Sequence, residues 1–188
     1  PALDDIKDAD KLSKLHDFYP PEEFKSYEDL LLQLVNRDYN HINKWTKSLA
    51  MYKLSLMRGV TVKDDLIANL FNPDYFMLQT AAAVIYKLDK DSYQLNTRRL
   101  KTSTKKELDK AIVPPVFKSQ EEKFHQKLLI VERAILLNQL EIFDKIPGVI
   151  LVELASCLEE IMVEKGARLI EKGDNGSSPI YIVLSGRL

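Results

Sequence analysis

The sequence contains a single cysteine, Cys157, so no disulfide can form within the chain. Without a disulfide framework nothing indicates an oxidising compartment, and a cytoplasmic location is expected. Basic residues number 27 and acidic residues 28, so neither sign of charge is in excess. The net charge of −1 supplies no general attraction to phosphate backbones or anionic lipid, and neither nucleic acid nor a membrane surface is expected as a partner.

Long apolar runs are also missing. No stretch approaches the roughly 18 consecutive apolar residues of a spanning helix, and the acidic opening does not have the layout of a signal peptide. We therefore expect no direct membrane insertion by this segment. The chain opens on Pro1 and closes at Leu188 just after a hairpin-like run. This favours a segment of a longer parent protein, which could itself be tethered to a membrane.

Residue groupings typical of catalysis are scarce. His16, His41 and His125 are scattered along the sequence, and no nucleophile motif, metal-ligand spacing or phosphate-binding loop occurs. Asp8 and Asp10 lack the turn glycine and the closing glutamate of a calcium loop. The sequence therefore predicts a protein that is not an enzyme and that holds neither a metal nor a cofactor.

Prolines divide the chain into segments. Residues 1–25, which contain a break at Pro20-Pro21, are predicted to be an amphipathic helix or a linker. Pro114-Pro115 cannot lie inside a helix, so residues 113–118 are the predicted linker between a region at 26–112 and a region at 119–188. Capping patterns predict helix starts at Ser26, Thr104 and Ser119.

An internal repeat occupies the region 26–112. Residues 29–39 align with residues 65–75 at an offset of 36, with six identities in eleven positions. The identical pairs are Asp29/Asp65, Leu30/Leu66, Leu34/Leu70, Asn36/Asn72, Asp38/Asp74 and Tyr39/Tyr75. Each of the two aligned segments is followed by a second helical run that contains Tyr-Lys-Leu, at 52–54 and at 86–88. Each unit therefore predicts a helix, a polar turn and a second helix with small contact residues.

The second unit resembles the HEAT and armadillo class of helical repeats. The strings that carry the resemblance are Leu66-Ile-Ala-Asn-Leu-Phe-Asn-Pro-Asp74 and Gln79-Thr-Ala-Ala-Ala-Val-Ile-Tyr-Lys-Leu88. The resemblance implies antiparallel helix pairs stacked side by side. The Arg/Lys-Ala position of the class is only approximated, by Lys47-Ser48 and Gln79-Thr80. Spacing predicts one continuous core for these pairs, formed by Leu49, Ala50, Leu66, Leu70, Ala82 and Ile85.

Helical and then strand-like patterns follow the linker. Apolar residues at three- and four-residue spacing predict one long helix. They are Phe124, Leu128, Val131, Ile135, Leu136, Leu140 and Phe143. After a break at Pro147-Gly148, a short helix over Val149–Ile161 is predicted to bury Cys157 as an inert thiol. Three runs typical of strands come next, Ile161–Val163, Arg168–Ile170 and Ile180–Leu184.

The end of the chain resembles the start of the cyclic-nucleotide-binding domain family, which includes the bacterial catabolite activator and the regulatory subunits of cAMP-dependent kinase. The matching strings are Ile142-Phe-Asp-Lys-Ile-Pro147, Leu151-Val-Glu-Leu-Ala155, Glu164-Lys-Gly166, Leu169-Ile-Glu-Lys-Gly-Asp174 and Pro179-Ile-Tyr-Ile-Val-Leu-Ser-Gly-Arg-Leu188. The predicted fold class of the whole chain is mainly α, with HEAT-like antiparallel helix-pair repeats and further helices that lead into a partial β-roll.

The resemblance also implies where a nucleotide would bind. In this family a later short helix, with a Gly-Glu pair and an arginine, holds the cyclic phosphate. That segment would follow Leu188, so the chain itself is not expected to bind nucleotide. The resemblance implies that a longer parent either senses cAMP or cGMP or carries a domain descended from such sensors that does not. Val183 is a candidate for lining the base side of a completed pocket, although core packing is the favoured interpretation. Unpaired edges of an incomplete roll are expected to promote self-association.

Two function hypotheses stay open. In the first, the chain is a regulatory segment that couples helical repeats to a domain of the cyclic-nucleotide-sensing type, with its partners among the other domains of the parent. In the second, it is a protein-binding helical scaffold whose β-roll is degenerate. The sequence after Leu188 would discriminate between them.

Two further features are candidates for contacts with a partner. The basic run Arg98–Lys106 could bind an acidic partner or accept a phosphate on Ser103, and a solvated loop is the favoured interpretation. Trp45 and Tyr52 could anchor an interface, although at helical spacing they are more typical of the repeat core.

Overall fold

The computed structural model describes residues 25–38, 41–114, 127–164, 166–169 and 180–184. The chain divides into two compact units, one up to Cys157 and one from Leu158 onward. The described residues of the first unit form α1 (Tyr27–Asn36), α2 (Lys44–Leu54), α3 (Asp64–Asn69), α4 (Tyr75–Leu88), α5 (Lys90–Thr97), α6 (Thr102–Ile112), α7 (Ile130–Asn138), a 3-10 turn (Glu141–Phe143) and α8 (Gly148–Cys157). The predicted mainly helical class is therefore confirmed. None of these helices combines the length and the low charge that a bilayer crossing needs.

Short polar side chains set several of the helix starts. Ser26, Asn43, Asp74 and Asp89 each accept a hydrogen bond from a backbone N–H of the following first turn. These bonds satisfy N–H groups that have no partner within the helix. The predicted start at Ser26 is confirmed. The predicted start at Thr104 is three residues late, because the capping position of α6 is Lys101. Ser119 lies outside the described residues.

The repeated sequence produces two similar helix pairs. The first pair is α1 and α2, the second is α3 and α4, and the helices of each pair contact each other. Both second helices end on the leucine of Tyr-Lys-Leu, at Leu54 and at Leu88. The turns differ. Asp74 caps α4 directly, whereas α2 is capped by Asn43, well beyond the matching Asp38.

Helices α2 and α4 lie side by side and run in the same direction. Lys44 at the start of α2 contacts Asp74 at the start of α4. One turn further along, the Ser48 hydroxyl donates a hydrogen bond to the Met77 sulfur at 3.0 Å. Because both contacts advance along the two helices together, the second helices of successive pairs are stacked in parallel.

The core is centred on α4, which contacts α2, α3, α5, α6 and α7. A helix that is apolar on nearly all sides needs neighbours on all sides. Its buried residues are Phe76, Met77, Leu78, Gln79, Thr80, Ala81, Ala82, Val84 and Ile85. Of the six predicted core residues, five are buried: Ala50, Leu66, Leu70, Ala82 and Ile85. The sixth, Leu49, is only partly buried.

The prediction of one long helix up to Phe143 is wrong at its C-terminal end. Helix α7 ends at Asn138, and a separate 3-10 turn follows. The reason is local, since Leu140 has an extended backbone (φ −88°, ψ 125°) that cannot continue a helix. The N-terminal part of the predicted helix, including Phe124, lies outside the described residues.

The prediction that Cys157 is buried is also wrong, because its side chain is exposed. Helix α8 buries one face, formed by Leu151, Val152 and Ala155. At 3.6 residues per turn, Cys157 is rotated about 200° from Ala155 and therefore points away from that face. The helix ends at Cys157 and not at the predicted Ile161.

The predicted β-roll is not seen in the described residues of the second unit. Ile161–Val163, Arg168, Leu169 and Ile180–Leu184 are not in strands. A strand requires hydrogen-bonding neighbours, and the apolar side chains of 180–184 are between 36% and 88% exposed. Val183 is among them, at 50%. The intervening residues 170–179 lie outside the described part of the chain.

We expect Leu70→Ala to lower the free energy of unfolding of this protein by about 2–5 kcal/mol, because Leu70 is fully buried beside α4 and truncation leaves a cavity. Chemical denaturation measures the loss. Leu95→Ala is the matched control, since Leu95 is 64% exposed and its truncation should cost less than about half a kcal/mol. Equal losses for the two variants would contradict the placement of the core.

Candidate functional site

One lysine joins three helices. The Lys44 ammonium at the start of α2 lies 3.2 Å from Asp74 Oδ2 and 2.6 Å from Glu153 Oε1. Asp74 caps α4 with its other oxygen, Oδ1, and Glu153 lies on α8. The hydrogen bond to Glu153 is the largest cause that raises the pKa of Lys44, burial opposes it, and Asp74 adds to it. We call this group of three side chains the Lys44 junction.

A close contact between α2 and α8 lies beside the junction. Trp45, the single tryptophan of the chain, packs its indole ring on Gly148, the first residue of α8. A Cβ atom built at Gly148 would overlap Cδ1, Nε1 and Cγ of that ring. Glycine is therefore required at this position by close approach and not by backbone conformation.

Helix α7 is attached to the repeats through polar groups. The Tyr52 hydroxyl of α2 donates to Glu132 Oε1 at 3.1 Å, and the backbone N–H of Ile130 donates to Gln79 Oε1 of α4 at 3.0 Å. The second oxygen of Glu132 accepts from the backbone N–H of Leu129 at the start of α7. Burial, followed by the charge of Glu132, raises the pKa of Tyr52.

A groove of about 390 Å³ lies where α2, α4, α7 and α8 meet. Its lining residues are Lys44, Asp74, Tyr75, Phe76, Ile130, Val152, Glu153 and Ser156. The ammonium and the carboxylates at its rim are paired with one another, and burial together with Glu107 raises the pKa of Tyr75 to about 12. Tyr75 is therefore a neutral phenol near neutral pH, and the groove presents paired charges, a hydroxyl and apolar surface.

Lys47 is a buried cation about one turn along α2 from the junction. Its ammonium donates to the Arg37 carbonyl at 2.8 Å, and Asp38 and Asp65 lie close enough to favour its charge. Burial is the larger effect and lowers its pKa. Lys47 therefore links α2 to the turn of its own pair and, through the charge of Asp65, to the first helix of the next pair.

The predicted partner-binding residues are placed as follows. Arg98, Arg99, Lys101, Ser103 and Lys106 are exposed. The Arg99 guanidinium stacks 5.0 Å from the ring centroid of Phe71, and Lys105 pairs with Asp109 at 2.7 Å. The basic run therefore has contacts within the chain at two of its five cations.

The predicted aromatic anchors and histidines fall in different places. Trp45 and Tyr52 are partly buried on α2, where they face α8 and α7. His41 is exposed. His16 and His125 lie outside the described residues, which contain no group of three or more histidine, cysteine, aspartate or glutamate side chains able to hold a metal ion.

The Lys44 junction was not predicted from the sequence. Asp74 was identified through the repeat, but Lys44 and Glu153 are 109 residues apart and belong to segments predicted to be separate. No periodicity connects them. The nearest available signal was Gly148, a glycine at the start of an apolar helical run, which indicates a close approach.

Comparisons of this chain with protein-family models, curated proteins and solved structures give no significant match.

We expect Tyr75 to ionise at about pH 12 in the folded protein, because burial and Glu107 favour the neutral phenol. The stability from this shift is complete below pH about 10, the ordinary value for tyrosine, and is lost as the pH rises toward about 12. A difference titration of tyrosinate absorbance, wild type minus Tyr75→Phe, measures it while circular dichroism monitors folding. A difference titration centred near pH 10 would contradict the burial of this hydroxyl.

We expect Gly148→Ala to lower the free energy of unfolding by about 1–3 kcal/mol, because the added methyl overlaps the Trp45 ring. In a Trp45→Ala background the same substitution should be neutral or slightly stabilising, since alanine favours a helix over glycine by up to about 1 kcal/mol. Denaturant unfolding of the four proteins completes the double-mutant cycle. The same cost in both backgrounds would show that Trp45 does not contact Gly148.

Proposed function

We propose that this chain is a non-catalytic regulatory segment. In this proposal HEAT-like helix pairs over 26–112 are coupled to the opening part of a domain of the cyclic-nucleotide-sensing type, and the chain itself binds no nucleotide. Its partners are other domains of a longer parent or a separate protein, in the cytoplasm. The proposal starts from the two resemblances carried by the repeat and by the motifs from Ile142 to Leu188.

The stacked helix pairs support the first half of the proposal. Helices α2 and α4 are second helices of successive pairs, lie in parallel and share one core. Lys47 occupies the Arg/Lys position of the repeat class and interacts electrostatically with Asp65 of the next pair. A charge shared between neighbouring units is an interaction expected when identical units are stacked.

The observation that carries the proposal is the packing of α7 and α8 on the repeats. The motif Leu151–Ala155 of the nucleotide-domain resemblance lies in α8, and the motif Ile142–Pro147 directly precedes that helix. Helices α7 and α8 nevertheless contact α2 and α4 and belong to the same compact unit. A regulatory segment needs a physical connection between the part that senses and the part that responds. Here α8 supplies such a connection, because it contacts α2 directly and leads along the chain into the residues after Cys157.

The scaffold alternative is favoured by a different observation. Four apolar residues recur at every fourth position through the 3-10 turn and α8, and all four are exposed. They are Ile142 (80%), Ile146 (38%), Ile150 (53%) and Leu154 (37%). Ile150 and Leu154 lie one turn apart on α8, and exposed apolar side chains that adjoin one another are typical of a surface that contacts another protein. In this alternative the β-roll is degenerate and the helical surface does the binding.

We expect titration calorimetry of the 188-residue chain to show no binding of cAMP or cGMP, because the proposed phosphate-binding segment follows Leu188. A longer chain that includes the following residues is expected to bind one of them. Tight binding by the 188-residue chain would refute the placement of the ligand site. Absence of binding by the longer chain would favour the scaffold alternative.

Light scattering on the same two proteins tests the proposed self-association. The exposed apolar residues at 161–163 and 180–184 should make the shorter chain the more associated one.

A further inference from the structure

Within the segment from Ile130 to Cys157, the two helices contact each other more extensively than either contacts any one helix of the repeats. We call this segment the docking arm; it comprises α7, the 3-10 turn and α8. The most extensive contact of α8 is with α7, and both helices bury apolar faces. By comparison, their contacts with α2 and α4 are narrower.

Polar contacts connect the docking arm to the repeats. Among them are Lys44 with Glu153, the Tyr52 hydroxyl with Glu132, and the Ile130 N–H with Gln79. Water can replace each partner at a small net cost, because hydrogen bonds and exposed ion pairs contribute little beyond what solvation returns. Glu153 is well exposed, with 69% of its side chain accessible. The attachment therefore has the character of an interface that can open.

Separation of the docking arm from the repeats would affect both helix pairs at once, because Lys44 contacts residues of both pairs and of the arm. Its ammonium is shared between Glu153 of the docking arm and Asp74, and Asp74 caps α4 through Phe76 and Met77. When Glu153 moves away with the docking arm, the Lys44 ammonium keeps Asp74 as its carboxylate partner in the junction. Trp45, the next residue of α2, loses its contact with Gly148 in the same movement.

We propose that the docking arm exchanges between a docked and an undocked position, and that Lys44 couples this exchange to the starts of α2 and α4. Lys44 is a positioning residue in this device. A force applied to the residues that follow Cys157 would shift the equilibrium toward the undocked position. Only the source of that force rests on the proposed function, since the exchange itself is a property of the 188-residue chain.

The single tryptophan makes the exchange measurable. Acrylamide quenching of Trp45 fluorescence reports on the contact between α2 and α8, and hydrogen exchange followed by mass spectrometry reports on each helix. We expect Glu153→Gln to raise exchange in α8 about two- to fivefold, the range for loss of an exposed ion pair, and to increase the quenching of Trp45. Exchange at the starts of α2 and α4 should change with it, while α5 and α6 stay unchanged.

Matched variants separate this effect from a general loss of charge. Glu141→Gln removes an exposed carboxylate of the docking arm outside the junction, and Lys53→Gln removes an exposed lysine of α2. Both should behave as wild type. Lys44→Gln should raise exchange in α8 as Glu153→Gln does, and combining the two should add little in α8 because both remove the same ion pair. Gly148→Ala should give a larger increase through its overlap with Trp45.

Two outcomes would overturn the proposal. In the first, Glu153→Gln is indistinguishable from Glu141→Gln. In the second, α8 exchanges faster while the starts of α2 and α4 do not change, which would show an arm that opens without coupling. Neither outcome depends on nucleotide. Failure of a longer chain to bind cAMP or cGMP would remove the proposed function and leave the docking exchange standing.

Discussion

Burial of α4 is the constraint on which the rest of the structure depends. This helix is apolar on nearly every side, so one neighbour cannot remove its surface from water. Helices that precede α4 in the sequence and helices that follow it, including α7, cover its surface. The docking arm is therefore drawn onto the repeats by the same burial that forms the helix pairs.

The polar interactions are arranged around this apolar centre. Lys44, Lys47 and Tyr52 all lie on α2, and each reaches a different neighbour through a charged or hydrogen-bonding tip. Their stems pack against the helices while their polar atoms remain satisfied, as is usual for long amphipathic side chains. Helix α2 thus organises the polar contacts of the fold, whereas α4 organises its core.

Local sequence patterns predicted much of the fold. The offset of 36 between the two copies placed two helix pairs, and Ser26 marked a helix start because its hydroxyl caps the first turn. Periodicity placed Leu66, Leu70 and Ile85 in one core. It failed at Cys157 and at Leu140, where the end of a helix or its rotation depends on backbone angles and on which face finds a neighbour.

What the sequence by itself determined is the helical content, the duplication and most of the core, because these follow from interactions within a few turns of chain. The tertiary structure alone decided that residues 130–157 pack on the repeats and that Lys44 meets Glu153 across 109 residues. A contact between distant segments leaves no periodic trace in sequence. It arises only when burial of α4 has brought both segments to the same place, which is a property of the folded chain as a whole.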